Sequence, residues 1–161
     1  MEIVTYPHPT LRQQCEEITN IDDEIVQMAD AMTETLFREE GLGLAAPQVG
    51  KPLRLIIVNV EEEFHVLLNP EIVEKGDRTE LKEEGCLSIP GPHEEVSRAL
   101  NVVVRGIDLK GNEVKLEREG TPARVLQHEI DHLEGTLFID HLSETARSMA
   151  LKEYRKEKAK H

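Results

Sequence analysis

GTPARVLQHEIDHLEG, residues 120–135, is the stretch on which the reading of this chain turns. Thr121 followed by Pro122 reads as a helix start, with Thr121 as N-cap and Pro122 in the first helical position, and the helix is expected to run to about Gly135. Val125, Leu126, Ile130 and Leu133 surround two histidines with apolar residues, which marks a buried helix. His128 and His132 stand four apart, about 40° round the helix and about 6 Å along it, so both imidazoles can converge on one ion. Glu129 is offset from His128 by roughly 100°. It can therefore stand beside a metal without ligating it, where a base acting on water belongs. An ordinary polar helix also produces the HExxH pattern now and then, and the rest of the sequence has to decide.

Outward from this helix the pattern alternates between strands and helices. From Asp22 to Glu40, Ile25, Met28, Ala29, Met32 and Leu36 follow helical spacing, with acidic residues in the first turn and Gly41 past the end. LRLIIVNV (53–60) and FHVLLNP (64–70) are short, branched and apolar, and read as strands joined by the turn EEE. LNVVVRGIDL and NEVKLERE flank Lys110 and Gly111, which predicts a hairpin. Ser143 with Glu144 starts a final helix. The fold class that follows is α+β: mostly antiparallel strands packed around the buried HExxH helix, with N-terminal and C-terminal helices.

With 161 residues and no repeat or low-complexity linker, the chain is expected to form a single domain. Aromatic residues make up only 3% and Trp is absent, so the core must rest on Leu, Ile, Val and Ala. A net charge of −13 disfavours binding to DNA or to an anionic membrane. That charge is uneven. Residues 147–161 carry six basic side chains against Glu153 and Glu157, a net +4, which leaves −17 for residues 1–146. This basic tail reads first as the solvated face of a helix. No signal-like or membrane-spanning apolar run is present, and two cysteines make no disulfide framework, so a reducing cytoplasm is the expected location. Cys15, in the polar stretch LRQQCEEIT, reads as structural or incidental.

Two histidine ligands need a third. In the HExxHxxGxxH arrangement it would fall at position 138, which is Phe138. Glu153 and Glu157 lie downstream in the polar tail. Upstream, EGCLSIPG (84–91) places Cys86 in a loop expected at a strand end, where its thiolate would be a soft donor beside two imidazoles. Three protein ligands leave one position open, which separates a catalytic site from a closed structural one. GLGLAAPQVG (41–50) offers glycines for close backbone approach and the amide donor of Gln48, although Gly-rich turns after helices are common. It lacks the GKS or GKT ending of a phosphate loop.

GLGLAAPQ, EGCLS and QHEIDH, in that order, resemble the three signature motifs of peptide deformylases, and the likeness extends over nearly the whole chain. The resemblance implies a metal-dependent hydrolase that removes the formyl group from N-formylmethionine of newly made polypeptides. It implies Cys86, His128 and His132 as ligands of Fe²⁺, with Zn²⁺, Ni²⁺ or Co²⁺ as substitutes, and Glu129 as general acid and base. It implies Gln48 and the Leu87 N–H as oxyanion donors, and Leu42, Gly43, Val125 and the stem of Arg124 as the walls of the substrate site. It also suggests that the tail helps dock the enzyme at the ribosome. Thr121 and Pro122 depart from the bulkier apolar residues usual in the family, which bears on the shape of the methionine pocket. Asp131 is expected to support a ligand or face solvent. The competing readings are a zincin-like metallopeptidase, with Cys86 dispensable and a tail glutamate essential; a non-catalytic metal-binding module with a fourth protein ligand; and a thiol hydrolase built on Cys86.

Overall fold

The computed structural model describes residues 1–160. Helix α1 (Asp23–Arg38) begins where Asp22 accepts a hydrogen bond from the Ile25 N–H at 3.0 Å, an N-cap of the kind that contributes about 1 kcal/mol. Its apolar stripe packs on a five-stranded antiparallel sheet formed by β1 (Gly43–Ala45), β2 (Leu55–Val60), β3 (Glu63–Lys75), β6 (Asn101–Ile107) and β7 (Glu113–Glu119), in that spatial order. Helix α2 (Thr121–Leu133) covers the opposite face. Strand β2 shows why its sequence reads as an unbroken apolar run: Leu55 and Ile57 face α1, while Ile56, Val58 and Val60 face α2.

The hairpin expected around Lys110 and Gly111 is β6–β7. The strand expected to stop at Pro70 continues instead to Lys75, passing a break in register at Asn69, whose φ is 51°. The Asn69 amide stabilises that bend by bonding both the N–H and the C=O of Ile18, at 2.8 and 2.9 Å. The Cys15 thiol, packed against the core beneath α2, is pushed up to about 11 by burial and is an inert structural group.

One expectation is corrected. Thr121 is the first residue of α2 and not its N-cap, so Pro122 takes the second helical position. Gly120 is the cap, at φ 70° and ψ −136°, because the chain must turn sharply out of β7 while the Gly120 N–H bonds to the Leu100 carbonyl. Cys86 stands at a strand end, as EGCLSIPG suggested, followed by a tight turn. Strands β4 (Thr79–Cys86) and β5 (Ile89–Ala99) form a separate antiparallel hairpin, with Cys86 paired to Ile89 across a two-residue turn of Leu87 and Ser88. This hairpin packs on helix α3 (Glu144–Ala159), which Ser143 caps through the Ala146 N–H at 3.1 Å. Ala150 and Tyr154 of α3 are buried with Leu11, Ile89 and Phe138 in a third cluster. The tail is therefore amphipathic: its inner face belongs to the core, and Lys152, Arg155, Lys156, Lys158 and Lys160 stay exposed. No helix of the described residues is long and apolar enough to cross a membrane.

Candidate functional site

Helix α2 is buried on nearly all sides, so its polar residues need partners. His128 and His132 point the same way, with ring centroids 5.1 Å apart. The β4–β5 turn brings Cys86 to them, and its Sγ lies 3.5 Å from His132 Nε2. One donor atom from each of Cys86, His128 and His132 falls within 4.8 Å of the other two, and among the described residues these are the side chains so clustered. A thiolate and two imidazoles at such separations suit a single small divalent ion. Phe138 adds no ligand; it stacks on the His128 ring, with centroids 6.3 Å apart.

The ring of His128 is fixed from behind. Its Nδ1 meets Glu84 Oε1 at 2.9 Å, which leaves Nε2 free to face the cluster. Glu84 is itself 7% exposed and takes three further bonds: 2.8 and 2.9 Å from the Arg98 guanidinium and 2.6 Å from Arg124. Burial alone would raise the Glu84 carboxyl, but the bonds from Arg98 and His128 outweigh it and hold the group well below the ordinary range. Arg98 reaches on to Asp131 at 2.6 Å, and Asp131 meets His141 at 2.8 Å. Asp131 therefore ties α2 to Arg98 and His141.

Glu129 is 4% exposed, and its Oε1 has no protein partner. Burial is the main cause pushing its carboxyl up to about 7, against the lowering influence of His128. A cation held by the three ligand atoms would draw it down again. The carboxylate lies against β1, where a Cβ on Gly43 would stand 2.6 Å from Glu129 Oε2. The glycine at 43 thus admits Glu129 itself, a role that the sequence reading had given to an approaching ligand.

A cavity of about 540 Å³ opens above this floor. Leu42, Gly43, Gln48, Cys86, Leu87, Arg124, Val125, His128 and Glu129 all line it, and His132 lies deeper. Thr121 reaches the cavity, whereas Pro122 is turned to the opposite side of α2. The stem of Arg124 forms wall while its head is consumed by Glu84 and by the carbonyls of Glu80 and Val96. Gln48 is oriented at both ends of its amide: Oε1 accepts from the Ala45 N–H at 2.9 Å, and Nε2 lies 3.3 Å from Ser88 Oγ and 3.6 Å from Cys86 Sγ.

Residues 1–148 match the sequence profile of the polypeptide deformylase family. The chain belongs to that family. The peptide deformylase of Syntrophobacter fumaroxidans is 45% identical over 162 residues, covering 97% of this chain and 94% of its own length. That of Mesorhizobium japonicum is 42% identical, with 96% and 90% covered. Among solved structures, the peptide deformylase of Legionella pneumophila superposes with a TM-score of 0.94 at 38% identity, covering 98% of this chain and 95% of that one. The Ehrlichia chaffeensis deformylase in complex with actinonin gives 0.93 at 37%, covering 98% and 96%. Peptide deformylases are metal-dependent enzymes that remove N-formyl groups from peptides, so the chain is an enzyme of this class. The sequence reading missed Glu84, Arg98 and Ser88 as parts of this candidate site. Glu84 and Ser88 lie inside the motif that supplied Cys86, and their partners are distant in sequence.

Proposed function

We propose that deformylation proceeds in this cavity, with Cys86, His128 and His132 as the metal ligands and Glu129 as the proton carrier. The convergence of those three donor atoms beside an unpartnered, buried carboxylate supports this assignment most directly. Fe²⁺ is the proposed ion, and Zn²⁺, Ni²⁺ or Co²⁺ can replace it, because a thiolate with two imidazoles accepts each. When bound, the cation supplies Lewis acidity towards water and the formyl oxygen.

The chain's own groups do the rest. Leu42, Gly43, Val125 and the Arg124 stem hold the peptide and its N-formylmethionine side chain, and fix the formyl carbon over Glu129. Glu129 takes the proton from the attacking water and returns it to the departing amine. Gln48 Nε2 and the Leu87 N–H donate to the oxygen on which negative charge develops, and the loss of one such donor typically costs about 3 kcal/mol. Glu84 keeps His128 in one tautomer and orientation.

Glu129→Gln tests the assignment. In protein purified without oxygen, the variant should keep one metal ion per chain while turnover of a formyl-Met peptide falls about 10²- to 10⁴-fold. Cys86→Ala should lose the metal. Full metal content and full activity in Cys86→Ala would move the ligand set to the zincin arrangement.

The partner we propose beyond the peptide is the ribosome, met by the exposed basic face of α3, which lets a protein with −17 on its remainder approach a polyanion tail first. Truncation is a poor probe, since it removes the buried Ala150 and Tyr154. Reversing Lys152 and Lys156 to Glu should weaken salt-sensitive co-sedimentation with ribosomes and leave hydrolysis of a short peptide intact. Unchanged co-sedimentation at low salt would remove this partner.

A further inference from the structure

The N-terminal segment lies alongside the site without touching the cavity. Its two alternate N–H groups bond to two different motifs: Val4 N–H to the Gln48 carbonyl at 2.8 Å and Tyr6 N–H to the Ser88 carbonyl at 2.9 Å. Gln48 and Ser88 are 1% and 0% exposed, and they flank the two oxyanion donors proposed above, the Gln48 amide and the Leu87 N–H. One donor sits in the short 3-10 turn after β1 and the other in the β4–β5 turn. They belong to different sheets with no strand pairing between them. What links their backbones is the strap from Val4 to Tyr6, helped by the 3.3 Å contact of Gln48 Nε2 with Ser88 Oγ.

The strap is in turn held from its outer side. The Tyr154 hydroxyl of α3 donates to the Tyr6 carbonyl at 2.6 Å, and the two rings meet edge to face with centroids 6.2 Å apart. Tyr154 is 4% exposed, and its hydroxyl is the polar end of an otherwise apolar cluster. Arg12 lies over the Tyr6 ring, 5.9 Å from its centroid.

We propose that Tyr154 is a positioning residue for the reaction, acting through Tyr6 and the Val4–Tyr6 strap to set the separation of the two oxyanion donors. This rests on the reading of Gln48 and Leu87 as those donors. The physical ground is steep: an oxyanion donor is effective only when aimed at the place where charge develops, and a displacement of about 1 Å can cost about 10²-fold in rate. A carbonyl released by Tyr154 lets the strap shift by such an amount without unfolding anything, because the Tyr154 ring still fills its place.

The test is a double-mutant cycle on the metal-loaded full-length chain, reading kcat and KM for a formyl-Met peptide, metal content and melting temperature. Tyr154→Phe should lower kcat about 10-fold, with KM within about twofold, metal content unchanged and melting within a few degrees of the parent. In a Gln48→Ala background the same change should add less than about twofold, because the donor it positions is already gone. Val4→Pro, which deletes the N–H at the other end of the strap, should show the same pattern. Wild-type kcat in Tyr154→Phe beside an impaired Gln48→Ala overturns the strap alone. Equal losses in both backgrounds also overturn it, since Tyr154 would then act elsewhere. Wild-type kcat in Gln48→Ala overturns the assignment of the oxyanion donor itself. If Tyr154→Phe melts far below the parent, Val4→Pro decides by the same criteria.

Discussion

The two faces of α2 are buried to a similar extent and held by opposite means. Towards the sheet, Ala123, Leu126, Ile130 and Leu133 meet Val58, Val104 and Leu116 in an apolar layer that excludes water and asks only for volume. Towards the β4–β5 hairpin, Arg124 and His128 are as deeply enclosed, but each position there is defined by a partner with a charge and a direction. The apolar face can tolerate repacking, because dispersion and transfer energy are not directional. The polar face cannot, because a buried group that loses its partner retains its full desolvation cost. Stability of the helix is thus shared between its faces, while the geometry of the site belongs to one.

Glu84→Gln strikes the polar face and should show the largest effect. It leaves the Arg124 guanidinium buried without its counter-charge and Arg98 with Asp131 alone, so chemical denaturation should report a loss of about 3–5 kcal/mol. With His128 no longer anchored, metal affinity measured by competition with a chelator should fall about 10- to 100-fold. Leu126→Ala strikes the other face. It should cost about 2–5 kcal/mol in the same denaturation experiment, yet leave metal affinity within about twofold. If the two variants weaken metal binding alike, the faces act as one unit and the distinction drawn between them fails.

The smallest effect should come from the same chemistry placed at the surface. Asp140 receives Arg12 at 2.6 Å, with Arg12 38% exposed. Burial raises the Asp140 carboxyl, but the bonds from Arg12 and from the Leu137 N–H prevail and its pKa is lowered below 3.8. The contribution of a depressed carboxyl is fully present above its unfolded pKa and disappears as pH falls through the folded one. Asp140→Asn should therefore lower stability by no more than about 1 kcal/mol at neutral pH, and the gap between variant and parent should close in melts below pH 3.8. A gap that widens on acidification would show that Asp140 acts through something other than this pair.

The same contrast governs what could be read from the sequence. Helices α1 and α2 and the β6–β7 hairpin follow apolar periodicity because each buries an apolar face, and β2, enclosed on both faces, reads as a continuous apolar run. Strands β4 and β5 leave almost none. TELKEEGC and IPGPHEEVSRA are largely polar, since this hairpin is kept in place by α3 and by the Glu84–Arg98–Arg124 bonds, contacts between residues 14 to 40 apart in the chain. That Cys86, His128 and His132 come together was legible because metal chemistry restricts residue type. Glu84 was not, because nothing local separates one buried glutamate from the many exposed ones around it. Thr121 was misread as a cap because its residue type suits one, whereas the sharp exit from β7 demanded the backbone freedom of Gly120.

The bond between Tyr154 and Tyr6 joins positions 148 apart. At translation rates of about 5–20 residues per second, Tyr6 is synthesised on the order of 10 s before the hydroxyl that will hold it. During that interval the Val4–Tyr6 segment has no α3 to close over it, and the site has its motifs but not its clamp. A protein whose family acts on freshly made chains is thus itself incomplete for as long as it remains one.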